Sequence, residues 1–461
     1  MCTCLIAGRN ASVTGKALLA ANDDWDGVPG VLCHEPRAVH APGETYLLTG
    51  GFAIPQPSET FGFVYTACSY EIGTLDKAWA FGVNDCGVAA AGTGASAFRD
   101  IPCADAKLEA DDVLRLLLAR ASSARDGIRQ IGALTARYGM RPSGMPGCES
   151  MATFAVADAE EAWFLEMAPG DHWIAVRMPD DMAGVRVNAF GTHDADLTDG
   201  ENVLASAHLA DDARARGWWD GDERHFDFAA AYGAEESPNE WGPELDDMNM
   251  RRRWRALCLL SGTEHDEAAT EYAVRPGRPL ALTDLTAILR DVYEDTPYDL
   301  RRVPAAGRYG NPFHDDAASY ALCRHATVTS VAADLSRPGA PALWAAMSTP
   351  AVCAYIPLWA DADGLPAVCG GTEPDGPSLW WEWKELSLLT QRRYAPNSAL
   401  VRPAIEEFER RMAAQLDAEA AEIEAAPAET RRALRTEGNA RRIEGARALC
   451  RRLRAELLRQ Y

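Results

Sequence analysis

The chain has 461 residues, 47% of them apolar, which is enough for a large buried core and, by length alone, about three domains. Its 68 acidic and 45 basic residues give a formal net charge of −23, spread along the chain, and this excludes nucleic acid and anionic lipid as natural partners. No apolar run reaches the roughly 20 residues that span a bilayer. The opening MCTCLIAGRNAS lacks the basic and long apolar regions of a signal peptide, so a cytoplasmic protein is expected. Twelve cysteines are scattered from Cys2 to Cys450 with no CxxC pair, and nine histidines are dispersed. Neither pattern has metal-ligand spacing, so no metal and no organic cofactor is expected.

Residues 3–8 and 16–21 read as two apolar strands joined by the turn-rich 8–15, a hairpin whose second strand runs into Asn22, Asp23, Asp24 and Trp25. Strand-like runs follow at 61–67 and around 78–92, the latter with Asn84-Asp85-Cys86-Gly87 as turn chemistry. Residues 107–121 and 124–138 read as helices, the second with Ile128, Ile131, Leu134 and Tyr138 near helical spacing. Strands return at 151–158, 162–167 and 172–178. Residues 203–295 read as mixed helix and loop, with strands again at 325–333 and 350–359 and a Pro/Gly-rich surface loop at 302–313. The tail, 403–459, is expected to be helical, with Ile443, Ala446, Cys450, Leu453 and Leu457 forming one packing stripe. Strand runs separated by helix pairs suit stacked layers better than a regular βαβ array.

Cys2 is the residue with the clearest chemical meaning. A small second residue permits removal of Met1, after which the chain begins with a thiol and a free α-amino group on one residue. An α-amine of pKa about 7.7–8.0 can act as base for a thiol of about 8.5, directly or through one water, with no histidine partner. A hairpin of this length returns Asn22-Asp23-Asp24 toward the N-terminus, where a carboxylate can orient the thiol or hold the ammonium. The plainer reading is that Asp23 and Asp24 begin a surface loop. Side chains alternate along a strand, so the two are not expected to face Cys2 together. His172 and His193 read as hydrogen-bonded structure rather than catalysts.

Several stretches, in order, carry a resemblance: Cys2-Thr3, the N-D-D end of the second strand, GVNDCGVAAAGTGAS at 82–96, and ADAEEAWFLEMAPGDHWIAVRMPDD at 157–181. Asn188 in VRVNAFG, HFDFAAAY at 225–232, RRWR at 252–255, RDVYEDTPYDL at 290–300 and ALWAAMSTPAVCAYIPLW at 342–359 continue it. Together they resemble the C69 family of cysteine dipeptidases, which includes the secernins. That family belongs to the N-terminal-nucleophile superfamily with the choloylglycine hydrolases and penicillin V acylases. The resemblance implies an α+β fold, a four-layer αββα sandwich over 2–400 with a helical C-terminal extension, 401–461, packed on it.

It also implies Cys2 as nucleophile, Asp24 as the carboxylate after the second strand, Asn188 as an amide donor to an oxyanion, and Thr93-Gly94 at the other oxyanion position. Asn22 and Asp23 are expected at the substrate, and the supporting arginine is placed at Arg252 within the run Arg251–Arg253. Ala21 stands where the bile-acid branch has an arginine, and Gly94 where it has an asparagine, which points to the dipeptidase branch. The implied activity is hydrolysis of a small peptide or amide through a thioester on Cys2. The alternatives are an acylase for N-acyl amino acids, a transpeptidase, or a binding protein that kept the scaffold. A homo-oligomer is compatible with all of them. The mature chain is expected to begin at Cys2; N-terminal sequencing of an active preparation that still shows Met1 overturns the mechanism.

Overall fold

Apolar runs fold as strands wherever turn residues bound them. The structure, a computed structural model, describes residues 2–69, 77–144, 149–234, 244–269, 271–314, 320–337 and 339–460. In chain order the strands begin with β1 (Thr3–Ala7), β2 (Leu18–Asp24), β3 (Gly30–Glu35), β4 (Ala38–Val39), β5 (Thr45–Leu47), β6 (Ala53–Pro55) and β7 (Glu59–Thr60). They continue with β8 (Phe63–Ser69), β9 (Lys77–Asn84), β10 (Ala89–Ala95), β11 (Met151–Ala157), β12 (Ala162–Ala168) and β13 (His172–Arg177). The last are β14 (Ala183–Arg186), β15 (Val203–Ala205), β16 (Ala273–Val274), β17 (Thr327–Asp334), β18 (Ala342–Ala346) and β19 (Ile356–Trp359). The helices are α1 (Ala110–Arg120), α2 (Ala124–Tyr138), α3 (Leu209–Ala215), α4 (Phe228–Tyr232), α5 (Glu244–Ser261), α6 (Leu282–Ile288), α7 (Leu379–Gln391), α8 (Tyr394–Ala425) and α9 (Ala428–Leu458). The chain divides into two compact units, one of residues 1–21, 37–61 and 86–282, the other of 22–36, 62–85 and 283–461.

In the first unit, β16, β14, β1 and the start of β2 are neighbours in one sheet, with β1 and β14 antiparallel and Cys4 opposite Arg186. A second, antiparallel sheet runs β15-β13-β12-β11-β10. β1 lies over β10, β11 and β12, while α1 and α2 pack on that second sheet and α5 packs on β14 and β16. Strands β1, β10, β11 and β12 are buried along their whole length, as strands covered on both faces must be. The unit is therefore helix on sheet on sheet on helix, and the α+β class expected from the sequence is present. The helix over 124–138 has the expected bounds: Ser123 accepts the Asp126 N–H as N-cap, and Ile128 and Ile131 are buried.

In the second unit, β3, β8 and β9 form antiparallel neighbours and β17, β18 and β19 form others. β17 and β18 face β8 and β9, and α8 and α9 cover β19. Nine of the described strands escape the sequence reading: β3, the short β4 to β7, β14, β15 and β16, of which the last two lie in the stretch read as mixed helix and loop, and β18. The sequence ALWAA of β18 is rich in good helix formers, and only pairing between β17 and β19 makes it extended. The loop expected at 302–313 contains a short 3₁₀ turn over Pro304–Tyr309.

The tail is helical, but as two helices that pack on each other. Pro427 disfavours the helical region for the residue before it, and Ala426 is extended at φ −77°, ψ 155°. The boundary expected at 400/401 falls inside α8. All five residues of the expected stripe, Ile443 to Leu457, are buried. Arg442 is also fully buried: it donates to the Pro357 carbonyl at 2.7 Å and to Asn439 Oδ1 at 2.9 Å, and it pairs with Glu419 of α8. Asn439 exchanges hydrogen bonds with the backbone of Trp359, at 2.9 and 3.1 Å. Burial works against the Glu419 carboxylate, but the Arg442 charge and the hydrogen bonds from Arg441, Arg442 and Gln415 outweigh it and hold its pKa below the usual range. Its contribution is present above the ordinary glutamate pKa of about 4.3 and is lost as pH falls through the lower folded value. Glu419→Ala leaves the Arg442 charge buried without this partner and is expected to destabilise the protein by about 3–5 kcal/mol at neutral pH, read from urea unfolding.

Candidate active site

Cys2 directly precedes β1 and is 5% exposed. Its position is set from α5, which packs against β14 and β16 of the same unit. Arg252, on α5 and fully buried, donates from Nη1 to the Cys2 carbonyl oxygen at 2.9 Å and to Thr3 Oγ1 at 3.2 Å. From Nη2 it donates to Asn188 Oδ1 at 2.9 Å and to Asn249 Oδ1 at 2.5 Å. One planar guanidinium thus fixes the start of β1 and the Asn188 side chain together, a task for a rigid fork of donors. The run of three arginines resolves by direction: Arg251 pairs with Glu267 at 3.3 Å, and Arg253 stacks 4.9 Å from the Tyr272 ring. Arg252 is the one whose donation to the Cys2 carbonyl is described.

The bond to Arg252 also orients the Asn188 amide. With Oδ1 accepting, Nδ2 faces the Gly94 carbonyl oxygen of β10 and donates to it at 3.0 Å. An amide nitrogen carries two hydrogens, so this bond uses one of them. Thr93 Oγ1 donates to the same carbonyl at 3.3 Å. A side chain at Gly94 would begin 2.7 Å from Ser150 Oγ, so the asparagine of the bile-acid branch has no room here without a shift of Ser150. Cys2, Thr93-Gly94, Asn188 and Arg252, far apart in sequence, therefore form one hydrogen-bonded group in the first unit.

Two supports of this group were not anticipated. Asn249 stands one turn before Arg252 on α5; it accepts from Arg252 and donates from Nδ2 to the Asn188 backbone carbonyl at 3.2 Å. Its signal in the sequence is the Asn-x-x-Arg spacing in NMRR, which puts both side chains on one helix face. The second support is a buried ion pair, Arg186 Nε to Glu166 Oε1 at 2.7 Å. Glu166 also accepts the backbone N–H groups of Gly191 and Thr192, at 2.7 and 3.1 Å, and so ties down the turn that follows Asn188. Arg186 lies between the rings of Phe164 and Tyr272, at 4.3 and 4.7 Å.

The residues at the end of β2 belong to the second unit, and all three are buried. Asn22 donates from Nδ2 to the carbonyls of Leu289 and Leu322, at 2.9 and 2.7 Å. Both its amide hydrogens are thus engaged by the backbone. Asp23 accepts from the Cys68 thiol at 2.9 Å, and Asp24 accepts from Thr327 Oγ1 at 2.7 Å. The two carboxylates face different partners, as alternation along a strand requires. The plainer reading of an acidic surface loop is set aside, because these residues lie within a buried strand.

The model of peptidase family C69 matches residues 1–407. A probable dipeptidase of Latilactobacillus sakei is 23% identical over 378 residues, covering 78% of this chain and 74% of its own length. A probable dipeptidase of Salmonella dublin is 29% identical over 323 residues, covering 65% of this chain and 68% of its own. Among solved structures, a penicillin V acylase from Agrobacterium tumefaciens superposes with a TM-score of 0.37 at 12% identity, over 78% of this chain and 85% of that one.

Two predictions arise from this geometry. Arg252→Lys keeps the charge but loses the fork that joins Cys2 to Asn188. It is expected to lower kcat about 10²-fold, as a misplacement of about 1 Å can, with the fold retained by circular dichroism. Asp24→Asn is expected to lower kcat by about 10² or more, while Asp23→Asn acts mainly on KM or does little. The reverse pattern in steady-state kinetics means that the functional carboxylate is Asp23.

Proposed function

The chain belongs to peptidase family C69 and is a hydrolase, and on that footing we propose that it is a cytoplasmic cysteine dipeptidase whose nucleophile is the thiol of Cys2. The observation that carries the proposal is the Arg252 clamp, which holds the Cys2 backbone and the Asn188 amide in one geometry. The dipeptidases among the relatives point to the substrate class.

In the proposed reaction, removal of Met1 frees the Cys2 α-amine. The amine takes the thiol proton, and the sulfur attacks the scissile carbonyl carbon. The oxyanion accepts hydrogen bonds from the second Asn188 Nδ2 hydrogen and from backbone N–H groups near Thr93-Gly94; one such donor is worth about 10²–10³ in rate. The tetrahedral adduct collapses with cleavage of the C–N bond, and the leaving nitrogen receives the proton from the α-ammonium. A thioester remains on Cys2. Water then adds, giving its proton to the amine, and the free acid and the thiol are released. Asp24 is the carboxylate proposed to hold the ammonium.

Cys2→Ala is expected to abolish dipeptide hydrolysis with the fold intact, and Cys2→Ser to leave at most a trace. Intact-mass analysis during turnover should show an acyl adduct on the N-terminal peptide of the wild type. Turnover at the wild-type rate in Cys2→Ala places the chemistry elsewhere. Cleavage of N-acyl amino acids with no cleavage of dipeptides makes the enzyme an acylase.

A further inference from the structure

Three side chains separated in sequence meet at the start of β13 in the first unit. The Nδ1 of His172, the first residue of β13, lies 2.7 Å from the Pro169 carbonyl oxygen. A carbonyl can only accept, so Nδ1 carries the hydrogen and the neutral ring presents a lone pair at Nε2. That nitrogen lies 3.0 Å from Asp212 Oδ2, a second acceptor. Two lone pairs at this distance require a positive centre between them, either a proton or a metal ion.

A second imidazole converges on the same place. His208 Nε2 is 3.8 Å from Asp212 Oδ2 and 3.8 Å from Asp171 Oδ2. His208 is the N-cap of α3 and Asp212 lies four residues on, so the helix sets both on one face. His172, His208 and Asp212 each offer a ligand atom within 4.8 Å of the other two. Ligand atoms around tetrahedral zinc, with bonds of about 2.0–2.1 Å, stand about 3.3–3.4 Å apart. The 3.0 and 3.8 Å separations bracket that edge, so small side-chain movements complete the shell. The Nδ1–H to Pro169 bond is the outer contact that fixes a metal-binding histidine in its tautomer. His172 is nearly buried, while the His208 and Asp212 side chains are 44% and 40% exposed, which leaves an entry path for an ion.

We propose that His172, His208 and Asp212, with Asp171 as a fourth donor, bind one divalent transition-metal ion, zinc foremost, which braces α3 against β13. Two imidazoles with carboxylate oxygen form a donor set that suits zinc over magnesium or calcium. The site shares no residue with the Cys2–Arg252 group and stands independently of the hydrolase mechanism.

The test uses the full chain, stripped with chelator and titrated with cobalt(II), followed by zinc competition. The expected result is visible d–d bands that saturate at one ion per chain, without a thiolate-to-cobalt charge-transfer band. Zinc should displace the bands and raise Tm. Asp212→Asn and His208→Ala, both at partly exposed positions, should each weaken cobalt binding by at least the roughly 10–100-fold that loss of an outer partner costs, with circular dichroism and peptide hydrolysis unchanged. Absence of the bands in the wild type overturns the proposal and leaves a proton as the bridge between His172 and Asp212. Bands with thiolate character that survive in both folded variants also overturn it, because the ion then sits on cysteine.

Discussion

The candidate site depends on one buried cation. Arg252 has no exposed surface, and its four described acceptors, the Cys2 carbonyl, Thr3 Oγ1, Asn188 Oδ1 and Asn249 Oδ1, are all neutral oxygens. Burying a charge is unfavourable unless dipoles replace the lost water, and these four do so from fixed directions.

The precision of that clamp is inherited from the sheets. Asn188 lies just beyond β14, in a turn that would otherwise be free to move. Glu166 on β12 holds Arg186 of β14 and the N–H groups of Gly191 and Thr192, so the turn is fixed on both sides of Asn188. Asn249 then adds a bond to the Asn188 carbonyl from α5. The side chain and the backbone of Asn188 are thus held from different layers of one unit. An amide aimed in this way can meet a developing oxyanion without reorganising, which is the basis of electrostatic catalysis by hydrogen bonds.

The sequence made some of this legible, for identifiable reasons. The first hairpin, the helix at 124–138 and the tail stripe rest on local periodicity and turn residues, which act over a few positions. The choice of Arg252 within Arg251–Arg253 came from resemblance, because helical spacing alone gives three adjacent arginines three directions and does not say which one faces β1. Asn249 was missed although its spacing to Arg252 is helical, since an Asn-x-x-Arg pair has meaning only once a third partner, Asn188, is known to lie beside it. β18 was missed because small residues carry little strand propensity and pairing with β17 and β19 decides the matter. The histidines looked dispersed because His172 and His208 approach only when α3 folds back beside β13.

The C-terminal helices show how far a local signal can carry and where it stops. A proline at 427 is enough to end α8, and the apolar stripe is enough to give α9 a buried face. Neither says that the stripe is interrupted by fully buried charge. Arg442 sits among the stripe residues, binds the Pro357 carbonyl of β19, and meets Glu419 across the helix pair. An apolar face alone could slide along a sheet edge; an arginine that must reach both a strand carbonyl and a carboxylate on α8 fits one register only. The buried pair therefore gives the α8–α9 hairpin its position on β19 more than its adhesion, which comes from Leu416, Ile423 and Trp359 packed together. That division of labour, apolar area for stability and buried charge for register, is the one Arg252 repeats at the start of β1.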